Sequence, residues 1–513
     1  MAAETQLDTL EARGLIRLAT YLPELEYLFR HWLVQDAAYG SLLRQERKQL
    51  HGQVGEALES LYPERRAELA SVLGMHFEEA GDPERAIGYL SIAGRFALDR
   101  NAIQEAFSAF DRAAKLLPKA GPTDDEATRR RRVELELGRA KSSWTFRSVL
   151  EVIADLEAIR DDAERLGDLA LVADVHLQLA IARLQSGDAA ADPVVRRSLD
   201  RIAEIGEQLG DPSIRAMPLA MSGLMQVFTG PIRQGVEALE EAVPLLEDHK
   251  DFIGAAFARG SLAIGYANLG EFDKAEVASR NATELAANGD LIAQLDAQIA
   301  ESMLRSARGQ VDQALPLALA CMNRAEETGA LACVMASSWV LGDLYHRENR
   351  FEEAQATLQR GTDLSLVVDR KAWRPTLQAW LGGASAALGE APDGSWDEAL
   401  ATARSIGNTV AEAGILAKRG EAAARRGEFD AAFPDFAASV ALLEAEGARP
   451  NLARVLRRWG ESLASAGRAA ESDPILHRSL GLFEELGIEP EAAEVRTALS
   501  LRETKIAYDQ GRS

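Results

Sequence analysis

A chain of 513 residues with a net charge of −23 and an isoelectric point near 4.9 lacks the basic footprint that phosphate binding requires, so it is not read as a nucleic-acid binder or a ligand of anionic membranes. Its only two cysteines, Cys321 and Cys333, rule out a disulfide framework, and no run approaches the ~18 apolar residues of a membrane span. Hydrophobic residues make up 47% but aromatics only 6%, a balance suited to helices packed closely on small side chains, and the opening Met1-Ala2-Ala3-Glu4 carries no secretory pattern, so a cytoplasmic location is expected.

Taken in chain order, Leu7, Leu10, Leu15 and Ile16 flank Gly14 and predict a helix, a turn and a short strand, with a second apolar patch at Tyr21–Phe29. The run Phe29-Arg30-His31-Trp32-Leu33-Val34-Gln35-Asp36-Ala37-Ala38-Tyr39 follows and continues through Leu42, Leu43, Arg47, Leu50 and His51. Residues 66–118 read as three helices with breaks near Gly81 and Asn101 and a stop at Pro118, and Ala120–Asp125, containing Gly121-Pro122, reads as a hinge. Nine helix pairs are then expected, at about 126–167, 168–210, 211–250, 251–289, 290–329, 330–369, 370–407, 408–447 and 448–487. The seventh is irregular, because Ala391-Pro392-Asp393-Gly394 lengthens its turn. A last helix at about 490–505 caps the stack, with Glu491, Glu494, Arg496 and Arg502 expected on a solvated outer face. The corresponding division is 1–62, 63–120, 121–488 and 489–513.

The pairs rest on two interlocked series of turn residues. Gly187, Gly230, Gly270, Gly309, Asn349, Gly389, Gly427 and Gly467 fall between helices, the last six intervals being 40, 39, 40, 40, 38 and 40 residues. Gly167, Gly210, Gly289, Gly329, Gly407, Gly447 and Gly487 end the second helices with the same period. Gly270-Glu271-Phe272-Asp273-Lys274-Ala275 returns as Asn349-Arg350-Phe351-Glu352-Glu353-Ala354 and Gly427-Glu428-Phe429-Asp430-Ala431-Ala432, and earlier as Gly81-Asp82-Pro83-Glu84-Arg85-Ala86. Upstream, Leu341-Gly342 with Tyr345 and Leu73-Gly74 with Phe77 hold equivalent places. These residues resemble the tetratricopeptide repeat over about residues 66–490, in units longer than its usual ~34 residues. The resemblance implies an all-α, right-handed superhelical solenoid of antiparallel helix pairs, first helices lining the concave side.

Residues 10–118, through the Phe29–Tyr39 run, are similar to the junction behind the winged-helix region of bacterial AAA-type signal-transduction ATPases. Such proteins carry class III nucleotide cyclase or transcriptional-activator domains, and residues 1–62 are accordingly expected to hold a winged-helix remnant. The family's phosphate-binding loop needs a Gly-Lys pair, and none occurs in this chain. The chain therefore resembles the regulatory tail of such a protein.

Catalytic chemistry finds no foothold. The seven histidines are never closer than twenty residues, no His-Glu-x-x-His or paired-cysteine motif accompanies them, and no Gly-x-Ser-x-Gly elbow appears. No catalytic residue, cofactor or metal is expected. Arg129–Arg132 is bracketed by acids and reads as a solvated helical face. Trp339, Trp373 and Trp380 belong to first helices of neighbouring repeats, as do Met221, Met225 and Phe228 on an earlier one; Arg426 and Arg457 belong to arginine pairs about one repeat apart. Repeat packing explains many such positions, but aromatics, methionines and arginines on a concave face also anchor partners. Those eight residues are the candidate site. The function expected is a non-enzymatic interaction or sensor module, taking a protein or peptide partner or a small effector and regulating an ATPase or cyclase. The alternative is a portion of a class III cyclase or AAA ATPase whose catalytic domains lie outside this chain.

Overall fold

The structure, a computed structural model, describes residues 2–20, 26–100, 102–119, 125–143, 146–187, 192–287, 291–390 and 395–510. It divides into two compact units, 1–128 and 129–513. In the first, α1 (Ala2–Ala12) turns at Gly14 into β1 (Ile16–Thr20), which pairs antiparallel with β2 (Glu26–Phe29), Ile16 opposite Phe29. The second strand falls where only an apolar patch was expected; of that patch, 21–25 lie outside the described residues. Then come α2 (Trp32–Ser41), α3 (Arg44–Leu61), α4 (Ala70–Ala80), α5 (Pro83–Asp99) and α6 (Ile103–Leu116). His31 caps α2, its Nδ1 accepting from the Leu33 N–H at 3.2 Å. The expected hinge at Ala120–Asp125 lies, apart from Asp125, outside the described residues.

Continuing in chain order, α7 (Glu126–Lys141), in which the division between units falls, and α8 (Val149–Leu166) form the first elongated pair. The next are α9 (Leu169–Ser186) with α10 (Pro193–Leu209), α11 (Ala216–Thr229) with α12 (Ile232–Asp248), and α13 (Phe252–Leu269) with α14 (Phe272–Ala286). They continue as α15 (Leu291–Ala307) with α16 (Val311–Thr328), α17 (Leu331–Arg347) with α18 (Phe351–Val367), and α19 (Arg374–Ala387) with α20 (Ser395–Ser405). The last pairs are α21 (Thr409–Arg425) with α22 (Phe429–Glu446) and α23 (Arg449–Ser465) with α24 (Ala469–Leu486); α25 (Glu489–Gln510) closes the stack. Helix α20, at 11 residues, is short, while the turn expected at Ala391–Gly394 lies outside the described residues.

The recurring residues have mechanical reasons. The small first-helix residue lies under a second-helix leucine sixteen positions on: a Cβ at Gly74 would stand 2.9 Å from Leu90 Cγ, one at Gly223 2.7 Å from Leu239 Cγ, and one at Gly460 2.6 Å from Leu476 Cγ. Glycine there lets the two helices close. On the other side Ala86, Ala275, Ala354 and Ala432 are fully buried, each filling the space where the paired helices cross near their turn. Turn residues Gly270, Gly309, Gly427 and Gly467 all have φ near +75 to +80°, and Asn349 replaces glycine at φ +57°, a conformation Asn tolerates.

Stacking buries what one pair cannot. A single core runs from Ala216 on α11 to Leu499 on α25, and a second joins α7 to α10. Fully buried Phe436 and Phe483 each contribute ~2–3 kcal/mol by leaving water. Arg129–Arg132 is not simply solvated: Arg129 and Arg132 pair with Asp162 on α8, and Arg130 Nη1 with Asp168 at 2.7 Å. Cys321 and Cys333 are free and buried, and burial pushes the Cys321 thiol up to about 11.

The solenoid winds tightly enough that successive turns touch. Val149 N–H donates to Val368 O at 3.1 Å, joining pairs one and six. Gly187 lies beside Lys371 and Ile406, joining pairs two and seven. Ile232 N–H donates to Glu446 Oε2 at 3.0 Å, and Thr409 Oγ1 stands 3.1 Å from Thr229 O, joining three and eight. Gly270 packs on Leu486, joining four and nine. Gly309 meets Glu491 and Ile488, joining pair five to α25. At every rung the step is five pairs, so one superhelical turn takes about five pairs and lies directly against the next along a continuous seam.

Candidate functional site

The first helices α11, α13, α15, α17, α19, α21 and α23, with α25, enclose a cavity of about 680 Å³ on the inner side of the coil. One register of the repeat lines it: Ser306, Asp343, Trp380, Lys418, Arg454 and Glu491, spaced 37, 37, 38, 36 and 37 residues apart. The step is shorter than the 40-residue period of the turns. Contacts join several of its steps: Ser306 Oγ is 3.4 Å from Asp343 Oδ2, the Trp380 indole N–H donates to Asp343 Oδ1 at 3.0 Å, and Arg454 Nη2 donates to Glu491 Oε1 at 3.0 Å.

One wall is aromatic. Ring centroids lie 4.9 Å apart for Phe228 and Trp373, 6.0 Å for Phe228 and Trp339, and 6.1 Å for Trp339 and Trp380, the last pair at 90°. These are the separations and tilts aromatic side chains prefer. Helix α11 carries Phe228, α17 Trp339, α19 Trp380, and Trp373 precedes α19, so the wall exists only because pair three meets the consecutive pairs six and seven. Trp339 Nε1 is buried with no hydrogen-bond partner among the described residues, as is Nε2 of His346.

The opposite side is charged and carries both signs. Arg347 Nη2 pairs with Asp343 Oδ2 at 2.7 Å, Lys418 Nζ with Glu421 at 3.3 Å, and Arg458 Nη1 with Glu461 at 3.1 Å. Arg457 bridges to Glu494 and, at 3.5 Å, to Glu461. Lys418 Nζ also lies 5.7 Å from the Trp380 ring centre. Burial alone would raise the Asp343 carboxyl, but Arg347, the Trp380 N–H and Lys418 hold it well below the usual carboxylate range. Burial likewise opposes ionisation of Glu421, and Lys418 with Arg458 overcomes it, bringing the group down to about 2. Burial, reinforced by Lys418, pushes His346 down to about 3, so its imidazole is neutral at pH 7. Arg454 is lowered to about 10 by burial and by Arg347 beside it.

Of the eight residues singled out in the sequence, Met225, Phe228, Trp339, Trp373, Trp380 and Arg457 line this cavity. Met221, one helical turn before Met225, is half-buried and does not. Arg426 does not either: it ends α21, half-exposed, with its guanidinium on Glu428 at 2.7 and 3.0 Å. The reason is register. Arg426 precedes Arg457 by 31 residues, not the 37 of the inner ladder, and the true counterpart of Arg458 is Glu421. Glu491, expected on an outer face, points inward with its side chain only 12% exposed. The sequence reading missed Asp343, His346, Arg347, Lys418, Glu421 and Arg454. Their signal was charge set inside otherwise apolar helix faces, repeating at the shorter step. Among the described residues no cluster of three or more His, Cys, Asp or Glu could hold a metal, and no helix is long and apolar enough to cross a membrane.

No protein-family model matches the chain, and no curated protein matches it in sequence. Solved structures do resemble it. A Rap protein complexed with competence and sporulation factor is 12% identical, covers 69% of this chain and 98% of its own, and superposes with a TM-score of 0.51. The Cut9–Hcn1 hetero-tetramer of APC/C is 12% identical over 90% of this chain and 92% of its own, with a TM-score of 0.47. The apo quorum sensor NprR from B. thuringiensis is 14% identical over 68% and 98%, with a TM-score of 0.42. At such identities the likeness is one of architecture: the chain is an all-α, tetratricopeptide-like solenoid.

Proposed function

We propose that residues 129–513 form the ligand-receiving part of a regulatory protein, taking a peptide segment or a small effector into the inner channel without catalysis of its own. The observation that carries this reading is the 680 Å³ cavity itself, with four aromatic rings on one wall and the buried, unpartnered Trp339 Nε1 and His346 Nε2 among its lining. Its size and mixed lining suit a compact amphipathic ligand, and polar atoms left without partners are what a bound peptide's amides can satisfy. The charges argue against polyphosphates and nucleic acid: Arg347, Lys418, Arg454, Arg457 and Arg458 face Asp312, Asp343, Glu348, Glu421, Glu461, Glu491 and Glu494. The Rap protein's complex with competence and sporulation factor is an instance of a similar solenoid holding a factor. The class of the regulated partner, an ATPase or nucleotide cyclase, is taken from the resemblance of the Phe29–Tyr39 run.

Selection from a random peptide library tests the channel. Binders should weaken about thirtyfold or more in Trp373→Ala or Trp339→Ala, the loss expected of a central aromatic anchor. Binders indifferent to both substitutions, or no binders against well-folded protein, would sink the reading.

A further inference from the structure

Of the nineteen large apolar side chains exposed among the described residues, eleven lie between Leu10 and Val72. Four of those belong to one helix. Leu43, the residue that caps α3, begins a series that runs through Arg47, Leu50, Val54, Ala57 and Leu61 at intervals of 4, 3, 4, 3 and 4 residues. That alternation is the heptad spacing, which keeps one stripe of a helix facing a second helix along its whole length. Leu43, Leu50, Val54 and Leu61 are between 41 and 69% exposed, Ala57 is exposed and Arg47 half-buried, so the stripe is formed and left largely in solvent.

The flank beside the stripe is already taken. A Cβ at Gly55 would stand 2.9 Å from the Phe77 ring on α4, and His51 Nδ1 lies 2.9 Å from His76 Nδ1 on the same helix. From α5, Tyr89 Oη donates to Glu59 Oε1 at 2.5 Å, and Arg85 Nη2 lies 3.3 Å from Glu56 Oε1. These contacts fix the roll of α3, so the stripe cannot turn inward to leave water. Covering it takes another helix.

Two features choose the occupant. The series is symmetric: Leu43 with Leu61, Arg47 with Ala57 and Leu50 with Val54 are each centred on position 52. Turned about a two-fold axis at Gly52, the stripe meets its own copy side chain to side chain, as an isologous interface requires. Charge selects the same orientation. The first half of α3 carries Arg44, Arg47 and Lys48 with Glu46, three cations and one anion for a net +2, and the second half carries Glu56 and Glu59, a net −2. Antiparallel copies lay each basic end on the other's acidic end and set the helix dipoles head to tail, whereas parallel copies place like on like. We propose that the chain self-associates through α3 as an antiparallel two-fold dimer. The contact is small. Its 18 residues give five turns of helix a side, under the ~800 Å² per partner of a standard interface, so a reversible dimer with a micromolar dissociation constant is expected. Tyr39 on α2, whose ring centre lies 5.2 Å from the Arg47 guanidinium, widens the stripe at its basic end.

Sedimentation equilibrium of the full chain, from nanomolar to high micromolar concentration, tests the dimer. Two chains should associate in the unsubstituted protein, and Leu50→Asp should weaken that association about thirtyfold or more, because it sets a carboxylate at the centre of an apolar contact. Leu366→Asp, at an exposed leucine on α18, should leave it unchanged. Orientation is read by disulfide trapping, against which the buried Cys321 and Cys333 give no background. Leu43→Cys and Leu61→Cys should cross-link when the two variants are mixed and not singly, because in the antiparallel pair like positions lie about 27 Å apart, at opposite ends of the paired helices. A chain that stays monomeric at the highest concentration, or a dimer indifferent to Leu50→Asp, overturns the proposal and leaves the stripe to a different protein. Cross-linking of Leu43→Cys with itself overturns the antiparallel arrangement.

Discussion

The turns at Gly270 and Gly309 and those at Gly427 and Gly467 are the same local device used in two places. All four glycines sit at φ between +75 and +80° after a first helix, and Gly270-Glu271-Phe272 and Gly427-Glu428-Phe429 match residue for residue. In the first superhelical turn the position of a Cβ is occupied, by Leu486 at Gly270 and by Glu491 at Gly309. In the second turn nothing among the described residues lies within 4 Å of that position at Gly427 or Gly467. Local sequence sets the turn; place in the coil sets whether it is also an interface. Ion pairs divide the same way. Asp343–Arg347, facing the channel, is 20% and 21% exposed, whereas Arg426–Glu428 on the outer edge is 50% and 52% exposed.

The largest effect should come from breaking an inner pair against an outer one. Asp343→Ala strands Arg347 in the channel and removes the acceptor of the Trp380 N–H, for a loss of about 3–5 kcal/mol in urea unfolding. Glu428→Ala should leave the midpoint where it is. Equal losses from the two substitutions would erase the distinction between inner and outer charge.

A smaller difference is expected at the glycines. Alanine at Gly427 meets only the strain of its positive φ, about 1–2 kcal/mol. Gly309→Ala carries that strain and also drives a methyl into Glu491, adding roughly 1–3 kcal/mol of overpacking. Matched denaturation curves check it, and indistinguishable variants would mean that the seam does not bear on stability.

The gentlest test is pH. Unfolded chain takes up a proton on His346 near 6.5, whereas the folded protein resists until about 3, so stability is lost as pH falls below 6.5. Asp343 and Glu421 act in the same direction at lower pH: their folded carboxyls are held below the ordinary values of 3.8 and 4.5, and the stability they confer is lost as pH falls through the folded values, about 2 for Glu421. His346→Gln should flatten the decline between pH 6.5 and 4 and leave the steeper loss below it. An unchanged slope there would place the imidazole in water instead of at the channel wall.

Much of this protein is legible without coordinates. The positive-φ glycines, the aromatic and alanine after each turn, and the leucine-glycine pairs are local requirements of a helical hairpin, so they repeat in sequence wherever the hairpin repeats in space. Trp339, Trp373, Trp380, Phe228 and Met225 could likewise be picked out, because large side chains are scarce in a chain built on alanine. The charged half of the site was not legible. Asp343, Lys418 and Arg454 become neighbours only because successive pairs rotate about a common axis, and that rotation gives inner positions a 37-residue step unlike the 40-residue step of the turns. Arg426 was misplaced for the same reason, and Glu491 was assigned to the wrong side of its helix. Sequence alone determined the unit, its ends and the small residues that let its helices close, since each depends on atoms a few residues or one helix away. Tertiary structure decided how many pairs complete a turn, and therefore which turns meet across the seam and which charges share the channel. Those contacts join residues some 150 to 220 positions apart, and they follow from the angle at which large faces pack, a quantity no short stretch of chain encodes.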